Sequence, residues 1–117
     1  DAPDLAAGRH LAVLGADGHG KAELTAAALE RCRLFCDQWE QASTGGELAG
    51  AVAAGAVNRD DVTDLGAVLA GDDPGRRALD EVTLFDSTGL AIQDLGIAIA
   101  VVEAWRAGHV SGAEIAL

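Results

Sequence analysis

The 117 residues predict an α/β protein built around a parallel sheet, and three observations carry that expectation. Short apolar runs alternate with stretches of helical spacing, as in strand–helix–strand units. The opening run is continuous in apolar residues, which suits a strand covered on both faces. Glycines and the Pro74-Gly75 pair punctuate the chain, which shows neither an internal repeat nor a low-complexity linker.

The first strand is read over residues 10–15, His-Leu-Ala-Val-Leu-Gly, ended by Gly15. Glycine and charge fill residues 15–21. Residues 23–31 have helical spacing, with Leu24, Ala28 and Arg31 toward one face. Leu34, Phe35 and Cys36, closed by Asp37, form the second strand, and residues 38–42 supply one or two helical turns. Thr44 and Glu47 have the spacing of a capping box for a helix that reaches Ala54 and stops at Gly55. Asp60 or Asp61 caps the next helix, which runs through Leu65, Val68 and Leu69 to Gly71. A turn follows over residues 72–77, and a third strand alternates over residues 81–86. Ser87, Thr88 and Gly89 connect it tightly to the longest element, a helix over residues 90–107 with Gly108 just past its end. Three short strands make a poor free-standing doubly wound sheet. The chain is therefore expected to lean on further polypeptide.

Composition narrows the partners. Eight basic and nineteen acidic residues give a net charge of −11. Lys21 is the only lysine and no basic patch is visible, so nucleic-acid binding is disfavoured. A hydrophobic half excludes a disordered acidic tail. That half is mostly Ala, Leu and Val, with Phe35, Phe85, Trp39 and Trp105 as the aromatics; the tryptophans read as core or interface anchors. At roughly 25 cal/mol per Å² a core of small side chains contributes little per residue. No stretch approaches the roughly 20 apolar residues of a membrane span, the best being broken by Gln93 and Asp94. The N-terminal residues lack signal-peptide character. Cys32 and Cys36 have no metal-like companion pair, so they read as reduced thiols of a cytoplasmic protein.

In open α/β sheets the working surface lies beyond the carboxyl ends of the strands. Two segments qualify. Residues 15–21 place Asp17, His19 and Lys21 among glycines that let a ligand approach the backbone. A desolvated Asp17 suits general acid/base work, and Lys21 suits a phosphate or carboxylate. Read without further context, the same segment also fits a solvated polar turn. Its glycines run G-x-x-G-x-G, the reverse of the dinucleotide fingerprint, and no Walker-type loop exists. The second segment is residues 86–89. Ser87 lacks the G-x-S-x-G setting of a hydrolase nucleophile. His10 reads as structural and His109 as exposed; Asp60-Asp61 and Asp72-Asp73 read as caps and turns rather than a calcium loop.

At these segments the chain resembles the ornithine cyclodeaminase/μ-crystallin family. Residues 8–24 follow its G-T-H-I-N-A-V-G-A-D-x-P-G-K-x-E-L signature, departing at Arg9, Ala12 and His19. Gly46-Glu47-Leu48, the Asp64-to-Arg76 stretch and residues 83–94 match further motifs in order. The resemblance implies the C-terminal part of a three-layer Rossmann-like NAD(P)-binding domain over residues 1–117, with no second domain in this chain. It also implies NAD or NADP as cofactor, a small amino or imino acid as substrate, a homodimeric parent, and a missing N-terminal part that grips substrate. Residue by residue, it implies Asp17 as the catalytic acid/base that also meets substrate. Leu11, Ala12, Val13, Leu14, Lys21 and Ser87 would contact the cofactor, and Thr88 and Gly89 would border the substrate. No metal is expected. The leading activity is ornithine cyclodeamination, in which hydride leaves the substrate Cα for the nicotinamide, ammonia is lost, the ring closes and the hydride returns. The alternatives are an imine reductase or alanine-type dehydrogenase of the same family, and a non-catalytic module. The chain by itself is expected to be inactive.

Overall fold

The computed structural model describes residues 2–15, 20–113 and 115. Four parallel strands form one sheet: β1 (His10–Val13), β2 (Arg33–Cys36), β3 (Val62–Asp64) and β4 (Thr83–Asp86), in the order β1-β4-β2-β3. The helices are α1 (Ala26–Leu29), α2 (Trp39–Gly45), α3 (Ala49–Ala53), α4 (Leu65–Ala70) and α5 (Ala91–Arg106).

Register decides which residues share a face. Leu11, Leu84, Leu34 and Val62 line up across the sheet, and Val13, Asp86, Cys36 and Asp64 form the next row toward the carboxyl ends. Both rows face the layer that contains Leu29 of α1, Ala42 of α2 and Ala51 of α3, where Leu34, Leu48 and Leu84 are buried. The other face carries Phe35 and Phe85. There α4 supplies Leu65 and Val68, leaving an open cleft of about 460 Å³. At the amino ends of the strands, Arg76 donates to the carbonyls of Gly8, Arg9 and Glu81 and to the Thr83 hydroxyl. His10 also bonds Thr83 at 2.8 Å, which makes it the structural histidine expected of it.

Several expectations need correction. The sheet has four strands, not three: the segment read wholly as helix begins as β3. Asn58 and Asp61 close a capping box around a single 3-10 turn, Arg59–Asp61, after which β-branched Val62 and Thr63 pair with β2. The helix expected over residues 23–31 shrinks to α1, because the Glu23 and Leu24 amides are taken by the Glu47 carboxylate. That commitment also removes the capping box expected of Thr44 and Glu47. Thr44 lies inside α2, bonding back to the Glu40 carbonyl at 2.7 Å. The helix stops hold: Gly71 caps α4 at φ +85°, and Gly55 and Gly108 follow α3 and α5 at φ +72° and +74°.

The helix α5 is apolar around its circumference and exposed along its length. Ile92, Leu95, Ile97, Ile99, Val101, Val102 and Trp105 are between 42% and 68% exposed. A helix of this kind is built for burial. It extends the molecule to a radius of gyration of 17.4 Å, against roughly 13 Å for a compact domain of this length. Among the described residues no helix is long and apolar enough to cross a membrane.

Candidate functional site

The strands β1 and β4 are neighbours, so their exit loops leave side by side at the carboxyl end of the sheet; the Ser87 amide donates to the Val13 carbonyl at 3.0 Å. Each loop is tied down by a carboxylate from elsewhere in the chain.

Asp17 and His19 lie outside the described residues, but both stems of their loop are visible. The Gly15 amide donates to Glu23 Oε1 at 2.7 Å, closing the loop at its base. Glu47, only 2% exposed, then takes the Glu23 amide on Oε2 at 2.8 Å and the Leu24 amide on Oε1 at 2.7 Å. Lys21 is exposed and faces a cleft lined by Ser43, Thr44, Ala49 and Ala53. Of the four residues in and just after β1 expected to meet a cofactor, Ala12 and Leu14 stand exposed and Leu11 is half-buried. Val13 is buried, so it offers a ligand its backbone alone.

The second loop is gathered on Asp37. Its carboxylate accepts the amides of Thr88 and Gly89 and the hydroxyls of Ser87 and Thr88. Beneath the loop Asp86, 1% exposed, accepts the Leu48 amide at 3.2 Å, while its Oδ1 meets no partner among the described residues. Gly46 makes this packing feasible. A Cβ there would fall 2.5 Å from Asp86 Oδ2, 2.9 Å from the Thr88 methyl and 2.9 Å from the Ala42 backbone.

Burial pushes the Asp86 carboxyl above its ordinary value of 3.8; the Leu48 and Glu47 amides pull it back down, while the nearby charges of Glu47 and Asp37 push it further up. The folded protein therefore holds this proton more tightly than the unfolded chain. The resulting stabilisation is complete below pH 3.8 and is lost as the pH rises through the elevated value. An Asp86→Asn variant, neutral at every pH, is expected to melt higher relative to wild type at pH 7 than at pH 4. Melting curves at the two pH values check this, and an equal difference at both refutes it.

Cys36 is buried and its thiol is pushed up to about 12, first by burial and then by the Asp64 carboxylate at 3.4 Å. Cys32 is half-buried and likewise raised by burial, so both are free thiols of low reactivity.

Motif reading singled out the two loops and, in the second, Ser87, Thr88 and Gly89. It missed the braces Asp37 and Glu47 and passed over the burial of Asp86. The available signal was an acidic residue ending two apolar strands, Cys36-Asp37 and Phe85-Asp86.

A parallel α/β sheet with its polar loops gathered at the strands' carboxyl ends is a Rossmann-like architecture. The chain belongs to the ornithine cyclodeaminase/mu-crystallin family, whose model matches residues 3–109. It is 51% identical over 94 residues to the iminosuccinate reductase of Paracoccus denitrificans, covering 80% of this chain and 29% of that protein. The crystal structure of that reductase in complex with NAD+ aligns with a TM-score of 0.80 at 47% identity, over 93% of this chain and 34% of the other. The alanine dehydrogenase of Archaeoglobus fulgidus is 45% identical over 97 residues, 82% of this chain and 30% of that protein. A structure of an archaeal alanine dehydrogenase dimer with bound NAD aligns with a TM-score of 0.82 at 41% identity, over 97% and 35% of the two chains. The ornithine cyclodeaminase of Agrobacterium fabrum is 34% identical over 87 residues, 74% of this chain and 23% of that protein. The chain thus spans about three-tenths of the length of these two curated relatives, the reductase and the alanine dehydrogenase.

Proposed function

We propose that this chain is the C-terminal half of the cofactor-binding domain of a longer, cytoplasmic, NAD(H)- or NADP(H)-dependent enzyme acting on small amino or imino acids. The observation that carries the reading is the pairing of the β1 and β4 exit loops at one end of a parallel sheet, each braced by a carboxylate. The residues present fit a nicotinamide nucleotide. Exposed Ala12 and Leu14 offer an apolar ledge beside the half-buried Ser87 hydroxyl, which suits a flat ring carrying an amide. NAD, when bound, supplies the hydride acceptor and donor.

In this reading Leu11, Ala12, Val13, Leu14, Lys21 and Ser87 hold the cofactor. Thr88 and Gly89 border the substrate, and Asp17 moves the proton at the reacting nitrogen. The 51% and 45% identities to a reductase and a dehydrogenase, against 34% to a cyclodeaminase, favour net oxidoreduction over cyclodeamination at this site. Exposed α5 and the unpaired edge of β1 call for cover, which supports a preceding segment and a homodimer in the full-length protein. The chain on its own is expected to be inactive.

The test is titration of the full-length protein with NADH and NADPH, followed by steady-state assays. Saturable enhancement of nucleotide fluorescence is expected, with net NADH consumption in the presence of an imino acid, or of a keto acid plus ammonia. Proline formed from ornithine without net redox change identifies the cyclodeaminase instead. Failure to bind either nucleotide ends the proposal.

A further inference from the structure

Five donors converge on the carboxylate of Asp37, where β2 ends. Oδ1 takes the Gln38 amide at 2.9 Å and the Thr88 hydroxyl at 2.8 Å. Oδ2 takes the amides of Thr88 at 2.9 Å and Gly89 at 3.1 Å, and the Ser87 hydroxyl at 3.3 Å. Four of the five come from residues 87–89, the turn that leaves β4. Asp37 itself is only half-buried and lies outside the hydrophobic core. Its bonds therefore shape a surface turn more than they support the fold.

We propose that Asp37 is a positioning residue for the cofactor: it fixes the backbone of residues 87–89 and turns the Ser87 hydroxyl so that it meets the nucleotide as a hydrogen-bond acceptor. The inference rests on the reading above, in which Ser87 touches the nicotinamide nucleotide. A serine hydroxyl has a single proton. With that proton directed at Asp37, lone pairs are what Ser87 presents outward. A lone pair there matches a donor on the ligand, and the nicotinamide half of the nucleotide offers the carboxamide N–H and the ribose hydroxyls. The two amide bonds to Oδ2 hold the turn while Gly89 keeps the left-handed conformation, φ +76°, that ends it. An asparagine at position 37 replaces one acceptor oxygen with an amino group that faces donors, so the turn loosens and the Ser87 proton is free to swing outward.

The test is a double-variant cycle on the full-length protein, read as NADH affinity by nucleotide fluorescence with melting curves alongside. Asp37→Asn is expected to weaken NADH binding about tenfold, as the loss of charge-assisted bonds predicts. Ser87→Ala is expected to weaken it comparably. The double variant is expected to bind within about twofold of the weaker single variant, since coupled residues are not additive. A generic loss of folding would not produce that coupling. Should Asp37→Asn not fold, Thr88→Val removes one leg of the clamp and is expected to weaken NADH about threefold with an unchanged melting temperature. Wild-type affinity in a folded Asp37→Asn or Thr88→Val variant overturns the assignment and leaves cofactor binding standing. So do single-variant factors that multiply in the double variant. Wild-type protein that binds neither NADH nor NADPH removes the functional reading, and this inference with it.

Discussion

Asp17→Asn in the full-length protein is expected to lower turnover by about 10²- to 10⁴-fold while leaving NADH affinity within about a factor of two. Asparagine keeps the shape of the aspartate side chain and its capacity to accept a hydrogen bond, but cannot pass a proton. A residue that binds and also transfers a proton would therefore lose the second property alone. The stems of the segment that carries it are stitched by Gly15 to Glu23 and by Glu23 and Leu24 to Glu47, and none of those bonds uses the Asp17 side chain. Steady-state turnover measured beside a fluorescence titration separates the two properties. Turnover equal to wild type would return Asp17 to the solvated polar turn that its composition also permits.

Glu47→Ala is expected to cost about 2–4 kcal/mol of unfolding free energy, because it leaves two amides without their charged acceptor and opens a hole in a closed site. Glu47 is 2% exposed, and both of its oxygens are used within 2.8 Å. Glu47→Gln keeps one of the two acceptors and is expected to lose less. The same change releases the C-terminal stem of the Asp17 loop, so turnover should fall together with stability. Denaturant unfolding of the three proteins measures the first effect, and a loss below about 1 kcal/mol in the alanine variant would mean that water replaces the carboxylate at no great cost.

Much of this was legible in the residues. The apolar runs at residues 10–15 and 81–86 each contain a strand, the run at 34–37 falls one residue late on β2, and the longest helical stretch became α5 within a residue of its expected ends. Glycines at positions 55, 71 and 108 mark helix ends because they adopt positive φ there, a property of the residue itself. The strand β3 was not legible: three residues flow directly into α4, too few for a period to register, and Val62 is a strand residue because Leu34 lies beside it. Helix starts failed for a related reason. Thr44 and Glu47 satisfy the local rule for a capping box, yet Glu47 finds better partners in amides 23 and 24 residues away.

The site divides along the same line. Motif order pointed to Asp17, Lys21, Ser87, Thr88 and Gly89, since glycine-rich and hydroxyl-bearing turns after apolar strands are local patterns. The roles of Asp37, Glu47 and Asp86 depend on which loop each carboxylate reaches across the sheet, at separations of up to 52 positions. Composition, charge, the strand–helix alternation and the family motifs were thus determined by the sequence alone, because each is a statement about residues near one another in the chain. Strand order, the burial of two acids and the joining of two loops into one surface were decided by the tertiary structure. Hydrogen-bonding groups taken out of water must be paired wherever a partner stands, and only the folded chain says where that is.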